Sequence, residues 1–238
     1  MKNYFPAVED VYNLELRTLS FLGKSSRIRD ISPEFMRSAD QASSILRGRK
    51  KSILNSHSKD EIQMIDFEAS FDSTSVRGKT YHVHLGADVR VRASKFSQVS
   101  YFIAVAENGK LFRKVHFDLA QEPGARAPLK PSSHFQIGGE LSTTLRSQYS
   151  ESEYSKLLQP DLSEPRVFFF PVSLAFSFLI LVRDFRVSDF AALSGDEEFR
   201  KLMLTCEEKM LTKFVTELKS KLNDKTDSIF LTHYHDYD

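Results

Sequence analysis

Apolar and polar side chains alternate with a period of two through the middle of the chain, a pattern typical of strands with one buried face. The longest run covers 81–93, where Val83 and Leu85 belong to the apolar series and His82 and His84 to the polar one. Successive side chains of a strand point to opposite faces, so the two series are expected on opposite sides of one sheet. The pattern predicts strands near 61–72, 80–93, 98–106, 111–119 and 133–138.

The sequence Glu107-Asn108-Gly109-Lys110 separates two of these strands, and Asn-Gly between apolar runs favours a two-residue hairpin turn. Such a turn pairs Glu107 with Lys110 and, continued without interruption, pairs Tyr101 with His116. Tyr101, His116 and Asp118 would then share one face, whereas a bulge would move the register by one residue.

Apolar residues at helical spacing precede and follow the strands. A first amphipathic helix is expected to end near Gly23, and Ser32-Pro33 predicts the start of a second, with Ser32 as its N-cap. After the sheet, an apolar helix is expected at about 171–185, and Ser194 with Glu197 forms a capping box before a long helix. We therefore predict one α+β domain over 1–238, with a central antiparallel sheet packed by N-terminal and C-terminal helices: a helical part at 1–56, the sheet at 60–140, a helical part at 150–224 and a tail at 225–238.

Composition narrows the class of protein. The chain has 238 residues, 41% of them hydrophobic, which is enough for a substantial core. Its 33 Lys and Arg against 32 Asp and Glu leave a net charge of +1, so any attraction to nucleic acid must come from a local patch. The single Cys206 excludes a disulfide framework and zinc sites built from several thiolates, and it favours a reducing compartment.

We expect neither a secretory signal nor a membrane-spanning segment in this chain. The N-terminus lacks the apolar stretch and cleavage site of a secretory signal. The apolar segment 167–182 is shorter than the roughly 20 residues that cross a bilayer. We expect a cytoplasmic protein with no membrane partner.

Three residues form the candidate catalytic group. Histidine exchanges protons near neutral pH, and a carboxylate two positions away on the same strand face can orient it, which is the spacing of His116 and Asp118. His134 follows a proline-rich stretch that is expected to return alongside the strand that Asp118 ends. We expect His116 to act as general base or acid, Asp118 to orient it, and His134 to supply the complementary proton transfer.

The candidate ligand-binding residues are basic or small. Arg90, Arg92 or Arg113 could hold a phosphate, and Ser133 leaves space for a ligand beside His134. The chemistry would be phosphodiester cleavage without a metal or another cofactor. Two alternatives stay open: the histidines are structural polar residues, or His82-x-His84 places two imidazoles on one side of a metal whose third ligand the spacing does not identify.

Two further segments have a possible role. The basic helix end at 47–51, with Arg37 nearby, could contact phosphate or simply complement the helix dipole. The terminal segment 233–238 is dense in His, Asp and Tyr and could bind metal, dock a partner, or remain a solvated tail. The chain has no phosphate-binding glycine loop, no Gly-x-Ser-x-Gly elbow and no His-Glu-x-x-His, so nucleotide hydrolases and serine hydrolases of those types are not expected.

The segment Arg113-Lys114-Val115-His116-Phe117-Asp118, followed by Pro131-Ser132-Ser133-His134-Phe135-Gln136-Ile137-Gly138, resembles an uncharacterised bacterial domain-of-unknown-function family. In that family a strand with a basic residue and an aspartate precedes a Pro-x-Ser-His-x-x-x-Gly element, and an apolar helix follows. The likeness covers roughly 60–190. The arrangement also looks like the Asp…Pro…His pattern of some small bacterial toxins, although the histidines that those toxins tend to show just after the aspartate are absent here.

The resemblance implies a bacterial cytoplasmic protein from a toxin–antitoxin or phage-defence operon. Two hypotheses follow. The protein is either a subunit or effector that acts on or binds nucleic acid, or a non-catalytic subunit that docks a protein partner within an operon-encoded complex.

Overall fold

An antiparallel meander forms the middle of the molecule. The computed structural model describes residues 6–24, 31–55, 60–74, 80–119, 133–137, 141–149, 166–168, 172–184 and 190–224. Within these ranges the sheet has six strands, which pair in their order along the chain. They are β1 (Ile62–Thr74), β2 (Thr80–Arg92), β3 (Lys95–Glu107), β4 (Lys110–Leu119), β5 (Ser133–Ile137) and β6 (Arg166–Phe168).

The helices precede and follow this sheet. They are α1 (Val8–Lys24), α2 (Pro33–Gly48), α3 (Lys50–Leu54), α4 (Thr143–Gln148), α5 (Leu174–Asp184), α6 (Phe190–Gly195), α7 (Glu197–Cys206) and, after a π-helical turn (Glu207–Leu211), α8 (Thr212–Asp224). The predicted α+β class, with an antiparallel sheet and helices from both ends of the chain, is confirmed. Of the described helices, none combines the length and apolar character that a membrane crossing requires.

Two local predictions from the sequence are corrected. The segment 150–224 was expected to be helical, yet 166–168 forms β6 and pairs with β5. A strand of three residues is too short for an alternation of apolar and polar side chains to be recognised in the sequence. The long C-terminal helix is capped by Asp196, whose carboxylate accepts a hydrogen bond from Phe199 N at 2.9 Å, and not by Ser194, which lies in α6.

Two-residue turns close two of the hairpins. Asn108 and Gly109 adopt φ of 53° and 73° and pair Glu107 with Lys110, as the Asn-Gly sequence predicts. Ala93 and Ser94 also have positive φ, 47° and 59°, and pair Arg92 with Lys95. The second strand therefore ends at Arg92, one residue earlier than predicted.

A bulge changes the register that the first turn sets. The pairing shifts between Val105 and Ala106, which leaves Phe112 of β4 as the extra residue. His116 therefore lies opposite Phe102, and the predicted pair of Tyr101 with His116 is wrong. Tyr101 lies opposite Phe117 and faces the other side of the sheet from His116 and Asp118.

The two sides of the sheet differ in what covers them. We call the side that carries Val83, Leu85 and Tyr101 the core face, because α1, α2 and α5 pack over it. Phe35 of α2 meets Phe71 edge-on with ring centroids 5.1 Å apart. We call the opposite side the polar face; it carries the even-numbered residues of β2, β3 and β4 along most of their length: His82, His84, Gly86, Asp88, Ser100, Phe102, Ala104, Lys114, His116 and Asp118.

Candidate acid–base site on the polar face

His116 and Asp118 are in direct contact on β4. Alternation places both side chains on the polar face, and His116 Nε2 lies 2.9 Å from Asp118 Oδ2. The imidazole is 10% exposed and the carboxylate 29% exposed, so the pair is sheltered but reaches the surface. A carboxylate at this distance fixes the orientation of the ring. The pair therefore has the geometry of an oriented proton carrier.

The backbone register brings His134 to the neighbouring strand. Asp118 lies directly opposite His134, and Leu119 lies opposite Ser133, in the β4–β5 pairing. The expectation that the chain returns beside Asp118 agrees with this pairing. The side chains of Ser133 and His134 lie outside the described residues.

Phe102 and Lys114 extend the surface around His116. Phe102 is the cross-strand partner of His116, and its ring lies over Gly86, where a Cβ atom would overlap it. Lys114 Nζ lies 5.6 Å from the centre of the Phe102 ring, on its face. Lys114 is not among the site residues predicted from the sequence, although the alternation of Lys114, His116 and Asp118 along β4 is a sufficient signal.

The structure does not bring the proposed phosphate-binding arginines of β2 to His116. Arg90 donates to both carboxylate oxygens of Asp88, at 3.2 and 3.1 Å, and lies 3.4 Å from Glu61. Arg92 lies 3.6 Å from Glu61. The hydrogen bonds and charge of Asp88 raise the pKa of Arg90. Arg90 is also four residues along β2 from Gly86, which places it about 13 Å along the strand from the row of Phe102 and His116.

Arg113 occupies an odd-numbered position of β4. Its backbone lies opposite Val105, a core-face residue, whereas His116 and Asp118 occupy the even positions of β4. The side chain of Arg113 lies outside the described residues. Arg113 and His116 are three residues apart on one strand, so strand alternation gives them opposite parity with or without the bulge at Phe112.

His82 and His84 form a second group near one end of the polar face. His82 Nδ1 lies 2.7 Å from Asp72 Oδ1, and His84 Nε2 lies 3.0 Å from the hydroxyl of Tyr149, which follows α4. The two imidazole rings meet edge-on with centroids 4.7 Å apart. Burial, and to a smaller extent the charge of His82, lowers the pKa of His84 to about 4. His84 is therefore neutral at pH 7.

A metal site at His82-x-His84 receives no support from the geometry. Among the described residues, no group of three or more His, Cys, Asp and Glu is arranged to hold a metal ion. The partners of His82 and His84 are a carboxylate and a phenol of the protein itself. The terminal segment 233–238, the other metal candidate, lies outside the described residues.

The core face contains a buried carboxyl group that the sequence-based predictions do not include. Glu15 of α1 is fully buried, and its Oε1 accepts hydrogen bonds from the Tyr101 hydroxyl at 2.7 Å and from Leu174 N at 3.1 Å. Burial raises the pKa of Glu15 to about 7. Its Oε2 has no hydrogen-bond partner among the described residues. The feature of the sequence that indicates its burial is the position of Glu15 on the apolar stripe of the first helix.

Cys206 adjoins the same region. Its Sγ lies 3.1 Å from Ser173 Oγ, and burial raises the pKa of the thiol to about 12. A thiol with this pKa is a poor nucleophile at neutral pH. Cys206 is therefore a core residue.

Comparison of the chain with protein-family models, with curated proteins and with solved structures finds no match.

Proposed function

We propose that the protein cleaves RNA by metal-independent acid–base catalysis centred on His116 and Asp118. The 2.9 Å contact between His116 Nε2 and Asp118 Oδ2, a pair whose side chains are 10% and 29% exposed, carries the proposal. Enzymes place an oriented imidazole where a proton must move near neutral pH.

The reaction needs no outside nucleophile. His116 takes the proton of the ribose 2′-hydroxyl, whose oxygen attacks the adjacent phosphorus. The bond from phosphorus to the 5′ oxygen breaks, a 2′,3′-cyclic phosphate forms, and the leaving 5′ oxygen accepts a proton. We assign that proton to His134, whose position in β5 lies opposite Asp118. DNA lacks the 2′-hydroxyl, so RNA is the expected substrate.

Two neighbours support a nucleic-acid substrate. Lys114 precedes His116 by two residues on the same face, about 6–7 Å along the strand, and supplies a positive charge for the phosphate. Phe102, directly across from His116, is half-buried, and the face of its ring holds the Lys114 ammonium beside the reacting centre, 5.6 Å from the ring centre.

The test is cleavage of a fluorescently labelled single-stranded RNA in the presence of EDTA. We expect His116→Gln to lower the rate by about 10²–10⁴, the usual contribution of a positioned acid or base. Asp118→Asn should lower it less, because it orients the imidazole without exchanging the proton. The same oligonucleotide made as DNA should remain intact.

His82→Gln is the matched control. His82 also contacts an aspartate on the polar face, at 2.7 Å from Asp72, but lies on β2 and is not paired with the strand of His116. Its replacement should leave the rate unchanged. Wild-type activity in His116→Gln, or an RNA that stays intact with pure wild-type protein, would exclude the proposal.

One observation favours the alternative, a non-catalytic docking subunit. His82, His84 and Arg90 all contact polar groups of the protein itself, as expected of a face whose polar residues hold the structure together. In that case His116→Gln and His82→Gln would behave alike in every assay. For both the RNA-cleaving protein and the docking subunit, we propose a cytoplasmic location and a place in a toxin–antitoxin or phage-defence operon, as the resemblance implies.

A further inference from the structure

A cleft of about 730 Å³ opens on the helical side of the molecule, on the other side of the sheet from His116. It lies between α1, the C-terminal end of α2 and the first turns of α7. We call it the helix cleft. Its volume falls within the range of small-molecule sites, about 300–1,000 Å³. No part of the proposed RNA-cleaving site lies in it.

The lining of the helix cleft is apolar inside and basic at the rim. Leu202 is buried, while Leu16 and Phe21 are half-buried and give the cleft an apolar wall. Four basic residues, two acidic residues and Ser20 complete the lining, which has an excess of positive charge although Lys201 also pairs with Glu197. All four basic side chains are exposed and therefore lie toward the opening: Arg17, Lys24, Arg47 and Lys201.

Contacts between α1 and α7 hold the walls of the helix cleft in place. Arg17 Nη1 donates to Thr205 Oγ1 at 2.9 Å, and the rings of Phe21 and Phe199 lie 5.7 Å apart. Asp196 is occupied as the N-cap of α7. A cleft whose walls are already fixed loses little conformational entropy when a ligand enters.

The basic helix end at 47–51 acquires a specific role here. Arg49 donates to the carbonyl of Gln63, and Arg37 pairs with Glu34, so both are engaged elsewhere. Arg47, in the last turn of α2, lines the helix cleft together with Lys24, in the last turn of α1.

We propose that the helix cleft binds a nucleotide, with its base against Phe21 and its phosphates at Lys24 and Arg47. The apolar wall accounts for a flat ring, which gains from burial against an aromatic side chain. The excess of basic residues accounts for two or three negative charges, as in a nucleoside monophosphate or diphosphate. An inorganic anion would make no contact with the apolar wall, and a neutral nucleoside would form no ion pair with the basic residues.

Isothermal titration calorimetry of the full chain tests this with ADP as the probe. ADP should bind, inorganic pyrophosphate should bind at least tenfold more weakly, and adenosine should give no heat. Lys24→Glu and Arg47→Glu should each weaken ADP binding by at least tenfold. Lys51→Glu is the control with the same charge change, because Lys51 is exposed on α3 and does not line the helix cleft.

The fold is not expected to depend on these side chains, since all three are exposed. Equal affinity for pyrophosphate and ADP would overturn the proposal, because the apolar wall would then contribute nothing. Equal losses in Lys51→Glu and Arg47→Glu would overturn it as well, since the effect would be one of overall charge. Absence of binding by ADP is the third contradicting result.

Discussion

Leu85 and Gly86 are neighbours in β2, yet they face two regions with different surroundings. Leu85 is fully buried on the core face, beneath helices of 17, 16 and 11 residues. Gly86 faces the polar side, where the described cover is the six-residue α4 near one end. The same alternation thus directs apolar side chains to the surface that the helices cover and polar, titratable side chains to the other surface.

Each face contains a buried group whose pKa is shifted by burial, Glu15 on the core face and His84 on the polar face, and these two groups respond to pH in opposite ways. Glu15 on the core face has a raised pKa because its charged form loses hydration. His84 on the polar face has a lowered pKa for the same reason. Burial disfavours charge in both cases, but charge appears at high pH in the carboxyl group and at low pH in the imidazole.

Leu85→Ala should give the largest loss of stability. The side chain is completely buried among the core-face residues, so its removal leaves a cavity in addition to the lost transfer free energy. We expect the free energy of unfolding to fall by roughly 2–5 kcal/mol, measured by urea denaturation. A loss below about 0.5 kcal/mol, the range of surface substitutions, would contradict the assignment of the core face.

Replacing each buried titratable group separately should reveal opposite pH dependences. The raised pKa of Glu15, about 7 against 4.5, makes its contribution to stability fall as pH rises through that window, by about 3 kcal/mol in total. The lowered pKa of His84, about 4 against 6.5, makes its contribution fall as pH decreases through that window, by a similar amount of about 3 kcal/mol. In the wild type the two slopes offset each other between pH 4.5 and 6.5.

Urea unfolding of Glu15→Gln and His84→Gln across this interval is the measurement. Without Glu15, the remaining His84 contribution makes the free energy of unfolding rise with pH relative to wild type. Without His84, the remaining Glu15 contribution makes it fall with pH relative to wild type. All other groups are common to the three proteins, so they drop out of the differences. Two variants that deviate from wild type in the same direction would contradict this account.

Gly86→Ala should have a smaller effect, confined to the polar face. The added Cβ would overlap the Phe102 ring, which must then move away from its place between Gly86 and Lys114. We expect a loss of about 1–3 kcal/mol, as for other overpacked sites. Gly48→Ala is the control, because a Cβ there meets nothing within 4 Å, and the change should be neutral or stabilising. Equal changes in the free energy of unfolding for Gly86→Ala and Gly48→Ala would contradict the close contact between Gly86 and the Phe102 ring.

The sequence correctly predicts which side chains of one strand share a face, but it does not predict which residues of neighbouring strands lie opposite each other. The alternation of Val83 and Leu85 with His82 and His84 is a local property of one strand, and it correctly assigns those residues to opposite faces. The contact of His116 with Asp118 likewise needs only their separation by two residues. The partner of His116 depends on the bulge at Phe112, which has no signature in side-chain polarity, so the cross-strand pair was misassigned. The same two-residue spacing joins Arg90 to Asp88 and is readable from the sequence, whereas the contact of Arg90 with Glu61 is not, because Glu61 comes from another part of the chain.

The most direct test compares one variant from each face in two assays. Glu15→Gln and His116→Gln are measured together for RNA cleavage in EDTA and for unfolding by urea. We predict that Glu15→Gln alters the pH dependence of unfolding and keeps the cleavage rate within about twofold of wild type, whereas His116→Gln remains folded and loses about 10²–10⁴ in rate. A folded His116→Gln protein that cleaves RNA at the wild-type rate would contradict the central claim that the polar face is the reactive one.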